Sequence, residues 1–309
     1  MGFRIVEIEH EGRYLHLNRG FLVVSKDGEN SEIPLDDVGA LLLHGPGCTL
    51  SQNLIAELAA RGVAITVCDN RHMPVAWFWP AAGHHIQTKR ILGQWELSKP
   101  QKKQLWKQVV RSKILFQARH LEAHGISPKT LERMAKETQS GDPTNQEGQA
   151  ARFYWQSLFG KSFRRDPQLD GVNSLLNYGY AILRSAMARA VMSAGLHPAV
   201  ALFHHNAEDS MPLVDDLMEP FRPLTDAAVL ALVEANELEL NRETKELLVQ
   251  VTEWDLTGPT GRTPVRVCMQ NLATSLGQFC LGEASALLLP APPPVEDWKD
   301  LFRKTDGEE

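Results

Sequence analysis

The hydrophobic pattern of this chain changes its period near residues 81–85, and the change divides the sequence into two kinds of structure. Before this stretch, apolar residues alternate with polar ones in short runs separated by Gly- and Asn-containing turns, as in β-strands. After it, apolar residues recur with a period of about 3.6, as in amphipathic helices. The sequence therefore predicts an α+β protein with a small β-rich domain over 1–82 and a larger, mostly helical domain over 86–289.

The β-rich domain is predicted to contain six strands and one helix. Ser51 has the residue type and position of a helix N-cap, and Gly62 is placed to end that helix. The region gathers no acids, bases and nucleophiles together, so we interpret it as a scaffold or pairing module. The predicted strands cover 3–9, 14–18, 21–26, 38–43, 63–69 and 72–80.

The helical domain has clear start and stop signals. Ser98 and Pro100 open a long helix that Gly125 closes. A later helix has Thr144 or Asn145 as its N-cap and carries Glu147 in its first turn.

A long apolar helix follows, capped by Asp170 or Asn173 and ended by Gly195; its buried stripe predicts the central helix of the domain. Residues 258–261 are predicted as a hairpin tip. The proline-rich and then charged segment 290–309 is expected to be a flexible tail.

The charge of the chain is unevenly distributed. The net charge is -6, which is unlike a typical nucleic-acid-binding protein, yet residues 89–119 hold nine Lys or Arg against one acid. Four of these bases follow one another at intervals of four and form a row on the long helix. Solvated helix faces usually alternate in sign, so we interpret the row as a surface for a phosphate backbone, with a solvated face as the alternative. The predicted DNA-binding residues are Lys99, Lys103, Lys107 and Arg111 of the row, with Arg164 and Arg165 from a later loop.

The bulk composition narrows the class of protein. No apolar run approaches the roughly 20 residues of a membrane span, and the first residues lack the apolar core of a signal peptide. We therefore expect a cytoplasmic protein that does not bind membranes. The four cysteines are far apart and form no CxxC pair, which argues against a disulfide framework or a thiolate zinc site.

Residues 202–223 concentrate two histidines, several carboxylates and an arginine. Ser210 and Pro212 predict a short helix over 211–219 that stops or kinks at Pro220. Asp216 and Glu219 share one face of it, in the last turn, where carboxylates oppose the helix dipole. A nearby cation would remove this conflict, and either Arg222 or a bound metal could supply it. The neighbouring Asp215 is expected to be solvated.

These side chains match what phosphodiester chemistry needs, which is a divalent cation, an aligned nucleophile and positive charge around the reacting phosphate. Hard cations prefer carboxylate oxygens, and a histidine ligand makes a site tolerate Mn²⁺ as well as Mg²⁺. Such a set exists if the fold brings one distant helix to the helix over 211–219. Its members are Glu147, His204, Asp216 and Glu219.

Several motifs resemble those of the CRISPR adaptation integrase, the endonuclease that inserts new spacers into CRISPR arrays, in its type II form. They are N-Q-E-G-x-A-A-R-x-Y-W at 145–155, N-x-L-L-N-Y-G-Y-A-I-L at 173–183, F-H-H-N at 203–206 and D-L-M-E-P-F-R-P at 216–223. The resemblance implies a β-sandwich-like N-terminal domain followed by a helical catalytic domain. It also implies a homodimer that assembles on DNA with a small ferredoxin-like partner protein.

The resemblance further implies an activity and a set of ligands. The activity is metal-dependent attack of a spacer 3'-hydroxyl on repeat DNA, together with cutting of DNA by water. The metal ligands map to Glu147, His204 and Glu219, with Asp216 as a supporting acid. His205 is the rival of His204, which we prefer because it directly follows the apolar run 201–203.

Two other functions compete with this one. The first is a non-catalytic DNA-binding scaffold that keeps the basic row and an inert acidic cluster. The second is a metallohydrolase of a small phosphorylated substrate, which fits poorly with so extended a basic helix. The complete set of acid and histidine positions favours the integrase over the scaffold.

Overall fold

The computed structural model describes residues 4–69, 74–78, 80, 84–166, 168–204, 206, 209–258 and 261–300. The strands within these ranges are β1 Arg4–Ile8, β2 Tyr14–Asn18, β3 Phe21–Lys26, β4 Glu29–Pro34, β5 Val38–Leu43, β6 Thr49–Leu50, β7 Ala64–Cys68, β8 Pro74–Phe78, β9 Asp255–Gly258 and β10 Gly261–Pro264. The α-helices are α1 Gln52–Ala60, α2 Gln87–Glu96, α3 Lys99–Ala123, α4 Lys129–Glu137, α5 Gln146–Phe159, α6 Val172–Ser193, α7 Pro212–Met218, α8 Arg222–Glu234, α9 Arg242–Gln250, α10 Val265–Cys280 and α11 Val295–Asp300. Short 3₁₀ helices cover Leu35–Asp37, Glu219–Phe221 and Val251–Glu253.

The N-terminal strands form two four-stranded sheets. One has the order β1-β5-β7-β8, with β1, β5 and β7 parallel and β8 antiparallel to β7. The other has the order β4-β3-β2-β6. Every residue of β5 is buried, and the alternation of its side chains divides the protein into two cores. Leu41 and Leu43 belong to a small core within the strand-rich part, whereas Ala40 and Leu42 join the large core of the helical part.

The α+β class and its order, strands first and helices after, are confirmed. All six predicted strands are present, and Ser51 caps α1 by accepting a hydrogen bond from the Leu54 N–H. Two strands were not predicted. β4 is almost wholly exposed and lacks an apolar face, so it is a strand because it pairs with β3 along its whole length. β6 has two residues, too few to show a period.

Helix α6 is the centre of the helical part, as predicted. Fifteen of its residues are buried, between the β5 and β7 strands on one side and α7 to α10 on the other. Gly179 permits the close approach of α8, because a Cβ there would lie 2.4 Å from Cγ2 of Thr225. The helix begins after Gly171, with no side-chain cap, so neither Asp170 nor Asn173 has the predicted capping role. Asn173 instead accepts hydrogen bonds from the preceding loop.

Part of the expected flexible tail belongs to the folded core. Residues 295–300 form α11, and Trp298 is 4% exposed. Its indole N–H donates to the Pro293 carbonyl at 3.1 Å, and its ring stacks on His120 with centroids 4.9 Å apart. The expectation of an extended or disordered segment was wrong here, because the large apolar area of one tryptophan outweighs the charged residues around it. Residues 301–309 lie outside the described residues, and the predicted domain bounds stay a prediction.

No helix in the described ranges combines the length and apolar character needed to cross a membrane.

Candidate active site

The first candidate residue, Glu147, is fixed by the start of helix α5. Asn145 is the N-cap, one of the two predicted candidates, and its side chain accepts from the Gly148 N–H at 3.1 Å. Asp142 is buried and accepts from the N–H groups of Gln146 at 2.8 Å and Glu147 at 2.9 Å. Two side chains therefore satisfy the free N–H groups of this helix end, and they hold the Glu147 backbone in place.

The second candidate, Glu219, lies at a change of helix type. Helix α7 ends at Met218, and a 3₁₀ turn containing Pro220 leads directly into α8 at Arg222. Pro220 has no N–H to continue the α-helical pattern, so the predicted kink is present although the chain stays helical. The predicted N-cap Ser210 was wrong, because the cap position is Met211. Glu219 is 5% exposed, so its charge requires a partner.

A lysine joins Glu147 and Glu219. The ammonium nitrogen of Lys113, from α3, lies 2.6 Å from Oε1 of Glu147 and 2.5 Å from Oε2 of Glu219. The other oxygen of Glu219 lies 2.8 Å from Nε of Arg222. The cation expected near the end of α7 is thus supplied by Arg222, as foreseen, and also by Lys113, which was counted only as part of the basic helix.

The electrostatics favour the charged forms of Glu219 and Lys113. Burial alone would raise the pKa of Glu219, but Arg222 and Lys113 hold this pKa below its usual value. Burial would lower the pKa of Lys113, but Glu219 and Glu147 raise it above the usual value. The centre is therefore a buried network of compensated charges, in which removal of one member leaves another without a partner.

The third candidate, His204, is oriented by Asp216. The imidazole Nδ1 lies 2.6 Å from Oδ1 of Asp216, and the edge of the ring packs on Trp106 with centroids 5.2 Å apart. This hydrogen bond, opposed by burial and aided by nearby carboxylates, raises the pKa of His204. The carboxylate fixes the tautomer with hydrogen on Nδ1, which leaves Nε2 for another partner. The His204 side chain is 41% exposed.

Asp216 is fully occupied by these contacts. Its Oδ2 accepts from the backbone N–H groups of Leu202 at 2.7 Å and Phe203 at 2.9 Å, and its Oδ1 also accepts from the N–H of His204 at 3.2 Å. The carboxylate is completely buried. Asp216 thus folds the 202–204 loop and orients the imidazole, which is a positioning role and not the role of a metal ligand.

A second set of ion pairs, centred on Arg184, holds the loop that leads into α7. Arg184 donates to both carboxylate oxygens of Asp215, at 2.7 and 2.9 Å, and to Asp209 at 2.9 Å. Its guanidinium also lies over the ring of Trp77, 5.1 Å from the centroid, and so connects the loop to strand β8. The expectation that Asp215 is a solvated neighbour was therefore wrong.

The predicted DNA-binding residues differ in their surroundings. On α3, Lys99, Lys103 and Arg111 are exposed and Lys107 is half-buried; Arg164 is exposed as well. Arg165 is turned inward, where it donates to Oδ1 of Asn173 at 3.0 Å and Oδ1 of Asn177 at 2.7 Å. Its predicted surface role therefore conflicts with its structural contacts.

The full charge of the 89–119 segment is not available at the surface. Arg90 is buried and donates to the Ala194 carbonyl, Lys113 joins the two glutamates, and Arg119 pairs with Glu122. Lys113 is turned by about 200° around the helix from Arg111, which explains why one is buried and the other exposed.

The donor set fits a divalent metal with one condition. Among the described residues, no three His, Cys, Asp or Glu side chains stand ready to hold a metal ion. Yet one oxygen of Glu147 and one of Glu219 both lie within 2.6 Å of a single cationic atom, which is at the long end of metal–oxygen distances in Ca²⁺ sites and about 0.5 Å longer than those in Mg²⁺ sites. Two carboxylate oxygens and an imidazole nitrogen suit Mg²⁺ or Mn²⁺, provided that Lys113 gives way.

Comparison with known proteins identifies the family. Residues 6–251 match the family model described as CRISPR associated protein Cas1. The chain belongs to the Cas1 family. The family suspected from the sequence motifs is thereby confirmed.

Two curated relatives of this Cas1 family member cover most of its length. It is 36% identical over 261 residues to the CRISPR-associated endonuclease Cas1 of Neisseria meningitidis serogroup C (strain 8013), with 83% of this chain and 85% of the relative covered. It is 30% identical over 243 residues to a CRISPR-associated endonuclease Cas1 of Pyrobaculum aerophilum, with 74% and 82% covered.

Solved structures share the fold. A casposase bound to integration product aligns with a TM-score of 0.77 at 19% identity, over 93% of this chain and 92% of that one. A Cas1 protein from Thermotoga maritima aligns with a TM-score of 0.75 at 18% identity, over 92% and 99%. A chain of a Cas6-RT-Cas1–Cas2 complex aligns with a TM-score of 0.73 at 18% identity, over 93% and 36%.

Of the residues at the centre of this Cas1 family member, sequence analysis missed the role of Lys113. A signal for it exists, because Lys113 stands between Val110 and Ile114 at the spacing of the buried stripe of α3. A charged residue at such a position needs a buried partner of opposite charge. Asp226 was also missed. It accepts from the Tyr180 hydroxyl at 2.5 Å, and burial raises its pKa to about 7.

The Arg222 guanidinium lies over the ring of Tyr180, 4.6 Å from the ring centroid. The hydrogen-bonded pair of Tyr180 and Asp226 therefore contacts the charge network through Arg222. His205 lies outside the described residues.

Proposed function

We propose that this protein is a metal-dependent DNA endonuclease and integrase that inserts spacer DNA into a CRISPR array by 3'-hydroxyl transesterification. The observation that carries the proposal is the pair of glutamates, Glu147 and Glu219, that meet at one cationic position. Membership of the Cas1 family supports it, as do relatives named as CRISPR-associated endonucleases.

We assign Mg²⁺ or Mn²⁺ to the space between Glu147, Glu219 and Nε2 of His204. When bound, such an ion supplies neutralisation of the charge that develops on the reacting phosphate and activation of the attacking hydroxyl. Asp216 keeps the imidazole in the tautomer with Nε2 free. Arg222 holds the remaining oxygen of Glu219, so that this carboxylate keeps one orientation during the reaction.

DNA is proposed to bind along the exposed part of the basic row. Lys99, Lys103, Lys107 and Arg111 are spaced one turn apart on α3, about 6 Å between neighbours, which is similar to the spacing of successive phosphates along one strand. Arg164 is a further contact. Arg165 is not among the proposed contacts, because two of its N–H groups donate to Asn173 and Asn177 inside the protein.

The proposed partners are a second copy of the chain and a small ferredoxin-like CRISPR adaptation protein, in the cytoplasm. The solved Cas6-RT-Cas1–Cas2 complex supports an assembly of this kind, since one of its chains shares this fold.

Strand transfer tests the proposal. A labelled spacer-like duplex is incubated with supercoiled repeat DNA, Mn²⁺ and the purified small partner, and joined products are resolved on a denaturing gel. The wild-type protein is expected to give joined product, and Glu219→Gln to give none. Glu132→Gln, a matched change of an exposed glutamate on α4, should behave as wild type.

Full-rate joining by Glu219→Gln would contradict the site assignment. DNA binding without any joined product, with Mn²⁺ or with Mg²⁺ in the assay, would favour the non-catalytic scaffold.

A further inference from the structure

The ammonium group of Lys113 lies at the position that a metal ion bound by both Glu147 and Glu219 would occupy. It is 2.6 Å from an oxygen of Glu147 and 2.5 Å from an oxygen of Glu219, and the lysine side chain is only 11% exposed. We propose that Lys113 is the resident cation of this centre, and that a divalent metal binds by displacing it. The inference rests on the proposed function in that it concerns the same metal.

The lysine is needed when no metal is bound. The side chains of Glu147 and Glu219 are 18% and 7% exposed, so their charges are poorly solvated. Arg222 contacts only one oxygen of Glu219, and within the described residues the ion-pair partner of Glu147 is Lys113. Without Lys113, two nearly buried carboxylates would face each other with the charge of Glu147 uncompensated, which is strongly unfavourable.

The lysine and the metal cannot be present together. An ion bound to the same two oxygens, at the usual distances of about 2.0–2.6 Å, would overlap the ammonium nitrogen and repel its charge. Metal binding is therefore an exchange of cations. The displaced ammonium must therefore leave both carboxylates when the ion binds.

This exchange weakens metal binding relative to a site without the lysine, because the metal must first break two ion pairs. Lys113→Met keeps the length and the apolar part of the side chain but removes the charge. We expect the Kd for Mn²⁺ to fall about ten-fold or more. The matched control is Lys107→Met, which removes a positive charge from the same helix without touching either glutamate.

Binding of Mn²⁺ alone, followed by the electron paramagnetic resonance signal of the free ion, measures this without DNA or activity. Glu219→Gln should abolish the binding, which identifies the site. A lower Kd in Lys113→Met, with the Lys107→Met value near wild type, is the expected result. An unchanged or higher Kd in Lys113→Met would overturn the proposal.

A second measurement uses the wild-type protein and needs no variant to fold. Acylation of lysine amines, read for each residue by mass spectrometry, should be slow at Lys113 without metal and several-fold faster when Mn²⁺ saturates the site. Equal rates with and without bound Mn²⁺ would refute the exchange.

The outcomes separate this inference from the proposed function. Exchange at Lys113 without any strand transfer would reject the function alone. Strand transfer with an unchanged affinity in Lys113→Met would reject the exchange alone.

Discussion

Asp216 offers the sharpest test of how the centre is built. Four hydrogen bonds converge on its buried carboxylate, three from backbone N–H groups and one from the imidazole of His204. Asp216→Asn has the same shape, but its amide nitrogen replaces an oxygen that accepts hydrogen bonds. In either orientation of the amide, two of the four donors lose their acceptor.

Each buried donor left without an acceptor costs about 1–3 kcal/mol, so Asp216→Asn should lower the free energy of unfolding by about 2–6 kcal/mol. For a protein of this size the melting temperature should fall by at least about 3 °C. The imidazole also loses the carboxylate that orients it, and loss of such a partner typically lowers metal affinity or activity by about 10–100-fold.

Thermal unfolding and strand transfer, measured on the same preparation, check both effects. The control is Asp215→Asn, which changes an aspartate on the same helix that contacts Arg184 and not His204. It should destabilise the loop less and leave the imidazole oriented. If Asp216→Asn melts at the wild-type temperature and joins DNA at the full rate, the assignment of Asp216 as the positioning residue is refuted.

Three further predictions follow from the same contacts. Because Asp216 raises the pKa of His204, the stability that this pair contributes should be fully present below the unfolded-state pKa of about 6.5 and should be lost as the pH rises through the folded-state pKa. The free energy of unfolding, measured between pH 5 and 9, checks this. A wild-type stability that does not change with pH would contradict it. Replacing Lys103, Lys107 and Arg111 with alanine should weaken DNA binding at every sequence and reduce the salt slope by about one unit per lost phosphate contact, so an unchanged slope would return these residues to a solvated face. Trp298→Ala should cost about 3–5 kcal/mol in unfolding free energy if α11 is part of the core, and a neutral effect would contradict that packing.

The parts of this fold that could be predicted are those in which local pattern and tertiary structure agree. Helix α3 carries its capping signal and its apolar period within a few residues, and β5 and α6 are marked by their apolar residues alone. Strand β4 was missed because its pairing with β3, and not its own sequence, makes it a strand.

The candidate site shows the same limit more strongly. The carboxylates were found from their clustering and motif, but their partners were not, because those contacts are long-range. Lys113 meets glutamates that are 34 and 106 residues further along the chain; its place in the buried stripe of α3 indicates that it needs an acidic partner but not which residues supply it. Asp216 has the sequence context of a metal ligand, and only the path of the 202–204 loop reveals that its oxygens are already used.

The charges around α7 explain how a centre that is stable without metal would also accept the proposed metal ion. Asp216 and Glu219 lie at the end of a helix whose dipole opposes them. Backbone N–H groups and His204 compensate Asp216, whereas Glu219 depends on the cations Lys113 and Arg222. Arg222 is held both by Glu219 and by the ring of Tyr180, whereas the ion pairs of Lys113 within the described residues are with the two carboxylates that a metal would take. Of the two cations on Glu219, the flexible Lys113 therefore occupies the metal position, and the rigid Arg222 supports the glutamate. A centre arranged in the opposite way, with an arginine between the glutamates, should bind Mn²⁺ less well, because the fork of a guanidinium can engage both carboxylates with several donors.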